Sequence, residues 1–272
     1  MNSQKYLIYK VTGGLAHMLT HINNAIHLSK LSNRLLIIDC FANAFQRDFN
    51  QYFNIPDFIY TTKYDCLYQD ESLNKETFET YIKTDALWID GPFFLKDILL
   101  NVHIKDVIES NEKIIYCTWI EEKEVTGIPW YIKVNKDIVD KIAINKINEK
   151  YIGVQHRNTD RKQDLTKLVP KILEYSTQTN LIYLATDDYT SFDNLTALLG
   201  DKFKIIQYCK PYGDKAHHGL NIHYNNPNKD EVIENALIDM YHLIRAPYFV
   251  PSMDSRFSLK ILDFRKKDDL FN

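Results

Sequence analysis

The chain of 272 residues is 45% hydrophobic, 25% charged and 13% aromatic, a composition typical of folded proteins that excludes a largely disordered chain. Its formal net charge of -3 disfavours non-specific binding to nucleic acids, while a local basic pocket for a small anion remains compatible with it. A chain of this length forms one large or two small domains.

The first half of the chain opens with the pattern of a βαβ unit. In chain order it predicts a strand at 6–11, a glycine turn at Gly13 and Gly14, a helix at 15–31, and strands at 34–39 and 113–119. Such a unit builds a parallel sheet whose loops at the carboxyl ends of the strands face a ligand. The aromatic region 41–94 has no clear periodicity and yields no predicted element.

The second half repeats the alternation after a charged, turn-prone stretch at 121–130. It predicts helices at 138–147, 165–175, 192–199 and 229–246, and strands at 151–155, 180–186, 203–208 and 248–252. We place the domain boundary between residues 135 and 136. The sequence therefore predicts an α/β protein with two Rossmann-like domains, 1–135 and 136–272, facing each other across a cleft.

The cysteines and the apolar runs of the sequence indicate the cellular compartment of the protein. The four cysteines are far apart and form neither a disulfide framework nor a zinc-ligand pattern, so free thiols and no metal site are expected. The chain shows no signal peptide and no run of about 18 apolar residues. These features predict a cytoplasmic protein without a membrane anchor.

Polar side chains follow the predicted strands of the second half. Arg157 follows the first of these strands, Asp187 and Asp188 follow the second, and Ser252, Asp254, Ser255 and Ser258 follow the last. In an open α/β sheet these ends converge on one crevice. Arginine and serine bind phosphate, and carboxylates suit ribose hydroxyls or a nucleobase. The arrangement indicates a site for a nucleotide diphosphate.

Each feature also has a structural interpretation. Arg157 beside Asp160 could form a surface ion pair, and the acidic pair after the second strand could cap a helix. The serine-rich segment could be a capping turn whose Phe257 enters the core. The order and context of the whole set favour the binding site.

The segments "YIGVQHRNTDR", "LIYLATDD", "ENALIDMYHLIRAPYFVPSMDSRFS" and "GGLAHMLTHINNAIHLSKLSNRLLIID" resemble, in this order, the fucosyltransferase superfamily. That superfamily includes NodZ-like α1,6-fucosyltransferases, α1,2-fucosyltransferases and protein O-fucosyltransferases. The resemblance covers the second half of the chain and about the first 40 residues. It implies a GT-B fold in which 1–135 is the acceptor-side domain and 136–272 binds the nucleotide sugar. It also implies a donor that is usually GDP-fucose, a glycan acceptor, inversion at the anomeric centre, no divalent metal and no cofactor.

By position, the resemblance implies that Arg157 grips the diphosphate of the donor and that Asp239 lies on the guanine and ribose side. Together, the strand ends and the resemblance predict donor binding by Gly13, Gly14, Gln155, His156, Arg157, Thr159, Asp160, Asp187, Asp188, Asp239, Ser252, Asp254, Ser255, Arg256, Phe257 and Ser258.

Departures from the superfamily pattern concern the same strand end. Gln155 stands where members usually carry histidine, His156 stands at a variable position, and Asn158 replaces a second arginine. These departures bear on base preference and sugar identity, so a different nucleotide sugar is an alternative donor.

An inverting transfer usually needs a base that takes the proton of the acceptor hydroxyl. In α1,6 enzymes a glutamate about eight residues after the first arginine has been given this role, but this chain has Leu165 there. The candidates for the base are the adjacent Asp164 and His17, one turn after the glycine pair. Asp164 could instead cap the following helix, and His17 could be a hydrogen-bonded helix residue.

The polar loop 210–226 contains His217, His218 and His223. These histidines lack a partner carboxylate at helical spacing, so a metal site is not indicated. An acceptor-facing loop and a plain solvated loop are the two interpretations.

Other functional classes remain. A nucleotide-sugar hydrolase or epimerase could use a similar fold, although the "TGGLAH" segment is not the GxGxxG fingerprint expected of an epimerase. A protein that binds a nucleotide or carbohydrate without catalysis is the second alternative, and the substitutions at Gln155 and Asn158 are compatible with it.

Overall fold

The computed structural model describes residues 4–11, 13–40, 45–68, 93–95, 98–100, 104–117, 128–158, 163–209, 228–267 and 270–271. The chain divides into two compact units. The first comprises Met1–Gly13 and His17–Lys133, and the second comprises Gly14–Ala16 and Val134–Asn272. Along the chain, the units meet between Lys133 and Val134, and the domain boundary was predicted between residues 135 and 136. The acceptor and donor roles of the two domains stay predictions.

The first unit contains a six-stranded sheet of order β4-β2-β1-β7-β6-β5, in which β5 and β6 are antiparallel and the other pairs are parallel. Its elements are β1 (Tyr6–Lys10), α1 (Leu15–Ser32), β2 (Leu35–Asp39), a 3₁₀ turn (Phe49–Gln51), β3 (Phe53–Asn54), β4 (Tyr60–Thr61), α2 (Asp65–Tyr68), β5 (Phe93–Leu95), β6 (Ile98–Leu100), α3 (Ile104–Glu109) and β7 (Ile114–Cys117). The short strand β8 (Lys133–Val134) follows.

The predicted βαβ unit is confirmed. Strands β1 and β2 are parallel neighbours, with Tyr6 opposite Leu35 and Lys10 opposite Asp39. Helix α1 connects them and buries one apolar face, as its three- and four-residue spacing of apolar side chains predicts. The carboxyl ends of β1 and β2 therefore lie side by side, next to the glycine turn.

The second unit contains a four-stranded sheet of order β11-β10-β9-β12, and all of its strands are parallel. Its elements are α4 (Lys136–Ala143), β9 (Ile152–His156), a 3₁₀ turn (Leu165–Lys167), α5 (Val169–Glu174), β10 (Leu181–Thr186), α6 (Ser191–Leu199), a 3₁₀ turn (Gly200–Lys202), β11 (Lys204–Ile206), α7 (Lys229–Arg245), β12 (Tyr248–Val250) and α8 (Arg256–Lys267). The helix predicted at 165–175 is thus a 3₁₀ turn followed by α5.

Strand β9 has two different faces because successive side chains point to opposite sides of a sheet. Ile152 and Val154 belong to an apolar cluster that includes Ile172 of α5 and Leu195 of α6. Gly153 lies on the other face, where an added Cβ would be 2.8 Å from the Cβ of Ala246 at the end of α7. The same alternation separates the two polar residues that end the strand, His156 and Gln155.

Helix α1 is the longest described helix. Among the described helices, none combines the length and the apolar composition that crossing a lipid bilayer requires.

Candidate functional site

Three neighbouring strands of the second unit end at the same edge of its sheet. In the parallel register, Val154 of β9 is opposite Val250 of β12, and His156 of β9 is opposite Thr186 of β10. The residues that follow these strands therefore leave the sheet side by side. This arrangement brings together the segments that carry Arg157, Asp187 and Ser252, as the sequence predicted.

Arg157 is held at this edge by contacts with both neighbouring segments. Its Nε lies 3.3 Å from Oδ2 of Asp187, and its backbone N–H donates to Oγ of Ser252 at 3.3 Å. The side chains of Arg157 and Asp187 retain 25% and 27% of their exposure. The guanidinium is thus oriented by a carboxylate and still accessible, which suits the binding of an anion.

Asn158 links the two aspartates that follow β10. Its backbone N–H donates to Oδ1 of Asp187 at 2.8 Å, and its Nδ2 donates to Oδ2 of Asp188 at 2.5 Å. Asp187 consequently contacts the β9 end through both carboxylate oxygens, Oδ1 by this hydrogen bond and Oδ2 by the ion pair with Arg157. The side-chain amide of Asn158 supplies no positive charge, so it does not take over the electrostatic contribution that an arginine at this position would make.

Asp188 organises the turn before α6. It accepts hydrogen bonds from the N–H of Thr190 at 3.0 Å and from Oγ of Ser191 at 3.3 Å. Burial alone would raise the pKa of this carboxyl, but the hydrogen bonds from Asn158, Thr190 and Ser191 outweigh it and lower the pKa. Asp188 therefore has the structural role at a helix start that the sequence left open.

His156 lies on the face of β9 that packs on α5 and α6, and it is almost completely buried. Its Nδ1 is 2.7 Å from Oγ of Ser191, and its Nε2 is 2.9 Å from the backbone oxygen of Gln163. Both ring nitrogens are engaged within the protein. The ring therefore supports the strand end instead of offering a group to a ligand.

Gln155 lies on the opposite face and joins the serine-rich segment. Ser258 of α8 donates from Oγ to Oε1 of Gln155 at 2.7 Å, and the same Oγ accepts from the N–H of Ser252 at 3.0 Å. Ser252 in turn donates from its own Oγ to Oε1 of Gln163. These three serine and glutamine contacts tie the end of β9 to the start of α8.

The turn before α8 has its own internal contacts. The N–H of Ser255 donates to the backbone oxygen of Ser252 at 2.9 Å, and the N–H of Ser258 donates to Oγ of Ser255 at 3.5 Å. Ser255 therefore occupies the capping position of α8. Asp254 and Arg256 are exposed in this turn, while Phe257 is only partly buried, so the aromatic ring does not join the core completely.

Asp239 lies away from this edge. On α7, its Oδ1 accepts a hydrogen bond of 2.6 Å from the hydroxyl of Tyr183, the third residue of β10. Burial raises the pKa of Asp239 to about 7, against the opposing effect of hydrogen bonds from Tyr183 and Cys209. The ring of His242 packs 4.6 Å from that of Tyr183, and burial lowers the pKa of His242 to about 4. A role of Asp239 at a nucleotide base stays a prediction.

The structure gives Asp164 the position that caps the 3₁₀ turn Leu165–Lys167. Its carboxylate accepts hydrogen bonds from the N–H of Thr166 at 2.9 Å and from Oγ1 of the same residue at 2.7 Å. These bonds lower the pKa of Asp164 although the side chain is fully exposed. The capping alternative is therefore the one that the contacts favour.

In the first unit, Gly13 and His17 are close neighbours. Gly13 has a φ of 77°, and an added Cβ would be 2.8 Å from Cδ2 of His17, so this position requires glycine. The His17 ring packs against His21 with 4.0 Å between centroids. Gly14 is exposed and has open space at its missing Cβ.

Several predicted site residues lie outside the described part of the chain. They are Thr159, Asp160, His217, His218 and His223.

Some polar residues of both units escaped the sequence analysis. Gln163 joins His156 to Ser252, and nothing in its sequence context marks it. In the first unit, Lys10 and Asp39 are both buried where β1 and β2 end, and Oδ2 of Asp39 accepts a 2.7 Å hydrogen bond from the hydroxyl of Tyr64. In the sequence, these two residues could have been noticed because each is a charged residue at the end of an apolar run.

Among the described residues, no group of three or more His, Cys, Asp or Glu side chains is arranged to hold a metal ion.

A cavity of about 350 Å³ lies at the opposite edge of the second sheet, where its strands begin. Arg265, one of its basic residues, donates to the backbone oxygens of Leu243 and Ile244 near the end of α7. Cations placed there complement the negative end of a helix, so these residues stabilise α7. The lining residues are Lys146, Ile147, Tyr151, Tyr241, His242, Ile244, Arg245 and Arg265.

No family model and no curated protein matches this sequence. Solved structures are similar to it in fold. NodZ alpha-1,6-fucosyltransferase soaked with GDP-fucose has a TM-score of 0.57 and 16% identity over 95% of this chain and 92% of that chain. The fucosyltransferase NodZ from Bradyrhizobium has a TM-score of 0.56 and 16% identity over 96% of this chain and 92% of that chain. The apo form of POFUT1 has a TM-score of 0.59 and 11% identity over 100% of this chain and 97% of that chain.

Sequence identities this low establish similarity of fold. The predicted α/β fold of the GT-B type, with Rossmann-like and largely parallel sheets, is confirmed as similar to the folds of NodZ and POFUT1.

Proposed function

We propose that this protein is a glycosyltransferase that transfers L-fucose from GDP-fucose to a hydroxyl group of a glycan, with inversion and without a divalent metal. The observation that carries the proposal is the placement of Arg157, which Asp187 orients at an edge where three parallel strands end. The fold similarity to NodZ, whose structure was soaked with GDP-fucose, and to POFUT1, solved with GDP-fucose, supports the choice of donor.

In this proposal Arg157 binds the diphosphate of the donor. The bond between the sugar and the diphosphate breaks as the acceptor hydroxyl attacks the opposite face of the anomeric carbon, and negative charge develops on the leaving diphosphate. A guanidinium that is already oriented stabilises this charge without reorganising during the reaction. Asp187 holds that guanidinium in place.

The acceptor hydroxyl must also lose its proton during the transfer. The carboxylate of Asp164 is occupied by Thr166, and its lowered pKa makes it a weaker base. Of the two bases that the sequence indicated, His17 is therefore the one we retain. An imidazole suits this role because its ordinary pKa lies close to neutral pH.

A second candidate function is the binding of a nucleotide sugar without transfer. It is favoured by Asn158, whose amide is bound to Asp188 and contributes no second positive charge at the end of β9. Turnover separates the two candidates. Release of GDP from GDP-fucose upon addition of mixed glycan acceptors supports transfer, and tight binding of GDP-fucose without GDP release supports the binding protein.

The direct test is calorimetric titration of the wild type and of Arg157→Ala with GDP, UDP and GDP-fucose, with and without EDTA. Hydrogen bonds to a charged group contribute about 1.5–3 kcal/mol, so Arg157→Ala should weaken GDP binding by roughly 10- to 100-fold. Binding by the wild type should survive EDTA. Loss of binding in EDTA would contradict metal independence.

The matched control is Arg245→Ala, which removes an exposed arginine from the end of α7, at the opposite edge of the same sheet. Its affinity for GDP should equal that of the wild type. Unchanged affinity of Arg157→Ala would refute the assignment of Arg157, and equal losses in both variants would point to general electrostatic attraction instead.

A further inference from the structure

We propose that the cavity where the strands of the second sheet begin binds a phosphorylated monosaccharide. Its volume is about 350 Å³, which lies within the range of small-molecule sites. It is at the edge of the sheet opposite the strand ends that carry Arg157, Asp187 and Ser252. Such a site is additional to the donor site, and its occupancy does not depend on the proposed function.

The wall of this cavity carries positive charge without a compensating acid. Its basic residues are Lys146, Arg245 and Arg265, and no described residue that lines it is acidic. Burial lowers the pKa of the Arg265 guanidinium, and the groups that oppose this effect are Tyr151 and Tyr175, with no carboxylate among them. Cations gathered in a concave surface attract an anion.

The carbonyl groups at the end of α7 are already satisfied by two side chains of the cavity wall. Tyr151 donates from its hydroxyl to the backbone oxygen of His242 at 2.7 Å, and Arg265 donates to the two carbonyl oxygens that follow, both at 3.0 Å. These contacts cover the negative end of the helix, which would otherwise repel an anion. The charges of Lys146 and Arg245 are therefore available to a ligand in addition to their effect on the helix.

His242 adds a buried polar group that the protein leaves unsatisfied. This residue of the cavity wall is 1% exposed, and its Nε2 has no hydrogen-bond partner among the described residues. The rings of Tyr183 and Tyr208 pack 4.6 and 5.1 Å from the imidazole and hold it in place. Because burial lowers the pKa of His242 to about 4, the ring is uncharged at neutral pH and has one donor and one acceptor nitrogen. A ligand hydroxyl can supply the missing partner, since it both donates and accepts.

The class of ligand follows from these properties. The exposed cations Lys146 and Arg245 suit a phosphoryl group, to which an ammonium and a guanidinium both donate. The neutral ring of His242 suits a hydroxyl group instead of a second charge. The volume allows for a sugar ring beside the phosphoryl group. A phosphorylated monosaccharide combines all three.

Calorimetric titration at pH 7.5 and low salt tests the site with fucose 1-phosphate, glucose 1-phosphate, glucose 6-phosphate, mannose 6-phosphate and inorganic phosphate. At least one sugar phosphate should bind saturably and more tightly than inorganic phosphate. Absence of saturable binding by all four sugar phosphates would overturn the proposal, and so would equal affinity for inorganic phosphate, because the sugar hydroxyls would then contribute nothing.

Reversing one charge locates the ligand. Lys146→Glu, at an exposed position of the cavity wall, should weaken binding of the sugar phosphate by roughly tenfold or more. The matched control is Lys171→Glu, which makes the same charge change at an exposed position of α5 and should bind like the wild type. Equal weakening in both variants would indicate non-specific attraction and refute the site.

Two measurements on the wild type need no variant. The ring signals of His242, observed after ¹⁵N-histidine labelling, should shift as the sugar phosphate saturates the protein, and unchanged signals would contradict the contact with its ring. Saturating GDP should leave the affinity for the sugar phosphate unchanged. Displacement by GDP would place the ligand at the donor site and overturn this proposal while the proposed function stands. A wild type that binds the sugar phosphate but neither GDP nor GDP-fucose would overturn the proposed function alone.

Discussion

Replacing Ser258 with alanine removes a single oxygen atom that serves two partners. The N–H of Ser252 loses its acceptor and Oε1 of Gln155 loses its donor. Ser252, Gln155 and Ser258 each retain 5% or less of their exposure, so water cannot easily take the place of the hydroxyl. A buried polar group left without its partner costs about 1–3 kcal/mol.

Two such groups correspond to roughly 2–6 kcal/mol before the turn relaxes. Alanine favours the helix over serine by about 0.5 kcal/mol, which offsets a small part of the loss. We expect Ser258→Ala to lower the free energy of unfolding by about 2–4 kcal/mol. Urea-induced unfolding followed by circular dichroism measures this change.

Thr196→Ala is the matched control, since Thr196 is exposed on α6 and its Oγ1 donates only to a carbonyl of its own helix. That variant should differ from the wild type by less than about 0.5 kcal/mol. A similarly small effect of Ser258→Ala would refute the view that the serine hydroxyl fastens β9 to α8.

Two further predictions concern carboxylates. Because the pKa of Asp239 is raised in the fold, its stabilising contribution is full below pH 4 and is lost as the pH rises through about 7. The variant Asp239→Asn keeps an oxygen for Tyr183 and carries no charge. It should unfold at the same urea concentration as the wild type near pH 4 and at a higher urea concentration than the wild type at pH 8. A pKa of about 7 in place of 3.8 corresponds to at most about 4 kcal/mol, and no difference between the two proteins at pH 8 would argue against an enclosed, protonated Asp239. Asp164→Asn should retain sugar transfer in a GDP-release assay, since asparagine also caps a helix turn. A loss of about 100-fold or more would instead identify Asp164 as the base.

Strand ends were the part of the site that the sequence could predict. Apolar runs closed by polar residues identify where strands stop, and the parallel arrangement of a βαβ protein requires those ends to share an edge. Arg157 and Asp187 were placed together on this ground, and the structure shows them 3.3 Å apart. The glycine turn before α1 was predictable for a different reason, because few residues other than glycine tolerate a positive φ.

The hydrogen-bond partners of the polar side chains were not predictable from the sequence. Asp164 fits the pattern of a base and that of a cap equally well, and only the contact with Thr166 distinguishes them. Asp239 occupies a polar position in a helical pattern, yet its partner Tyr183 comes from a strand 56 residues away. Residues 45–68 contain strands of two residues and helices of one turn, which are too short to create periodicity.

Gly153 restricts where this protein can change. A methyl group there would approach Ala246 to 2.8 Å and Leu243 to 3.1 Å, so even alanine would displace α7 from the sheet. Two residues further along the same strand, Gln155 contacts a serine hydroxyl at the edge instead of a packed helix. On this face of β9, position 153 should therefore stay glycine, while a change at position 155 alters contacts at the strand end and leaves the packing of α7 on the sheet intact.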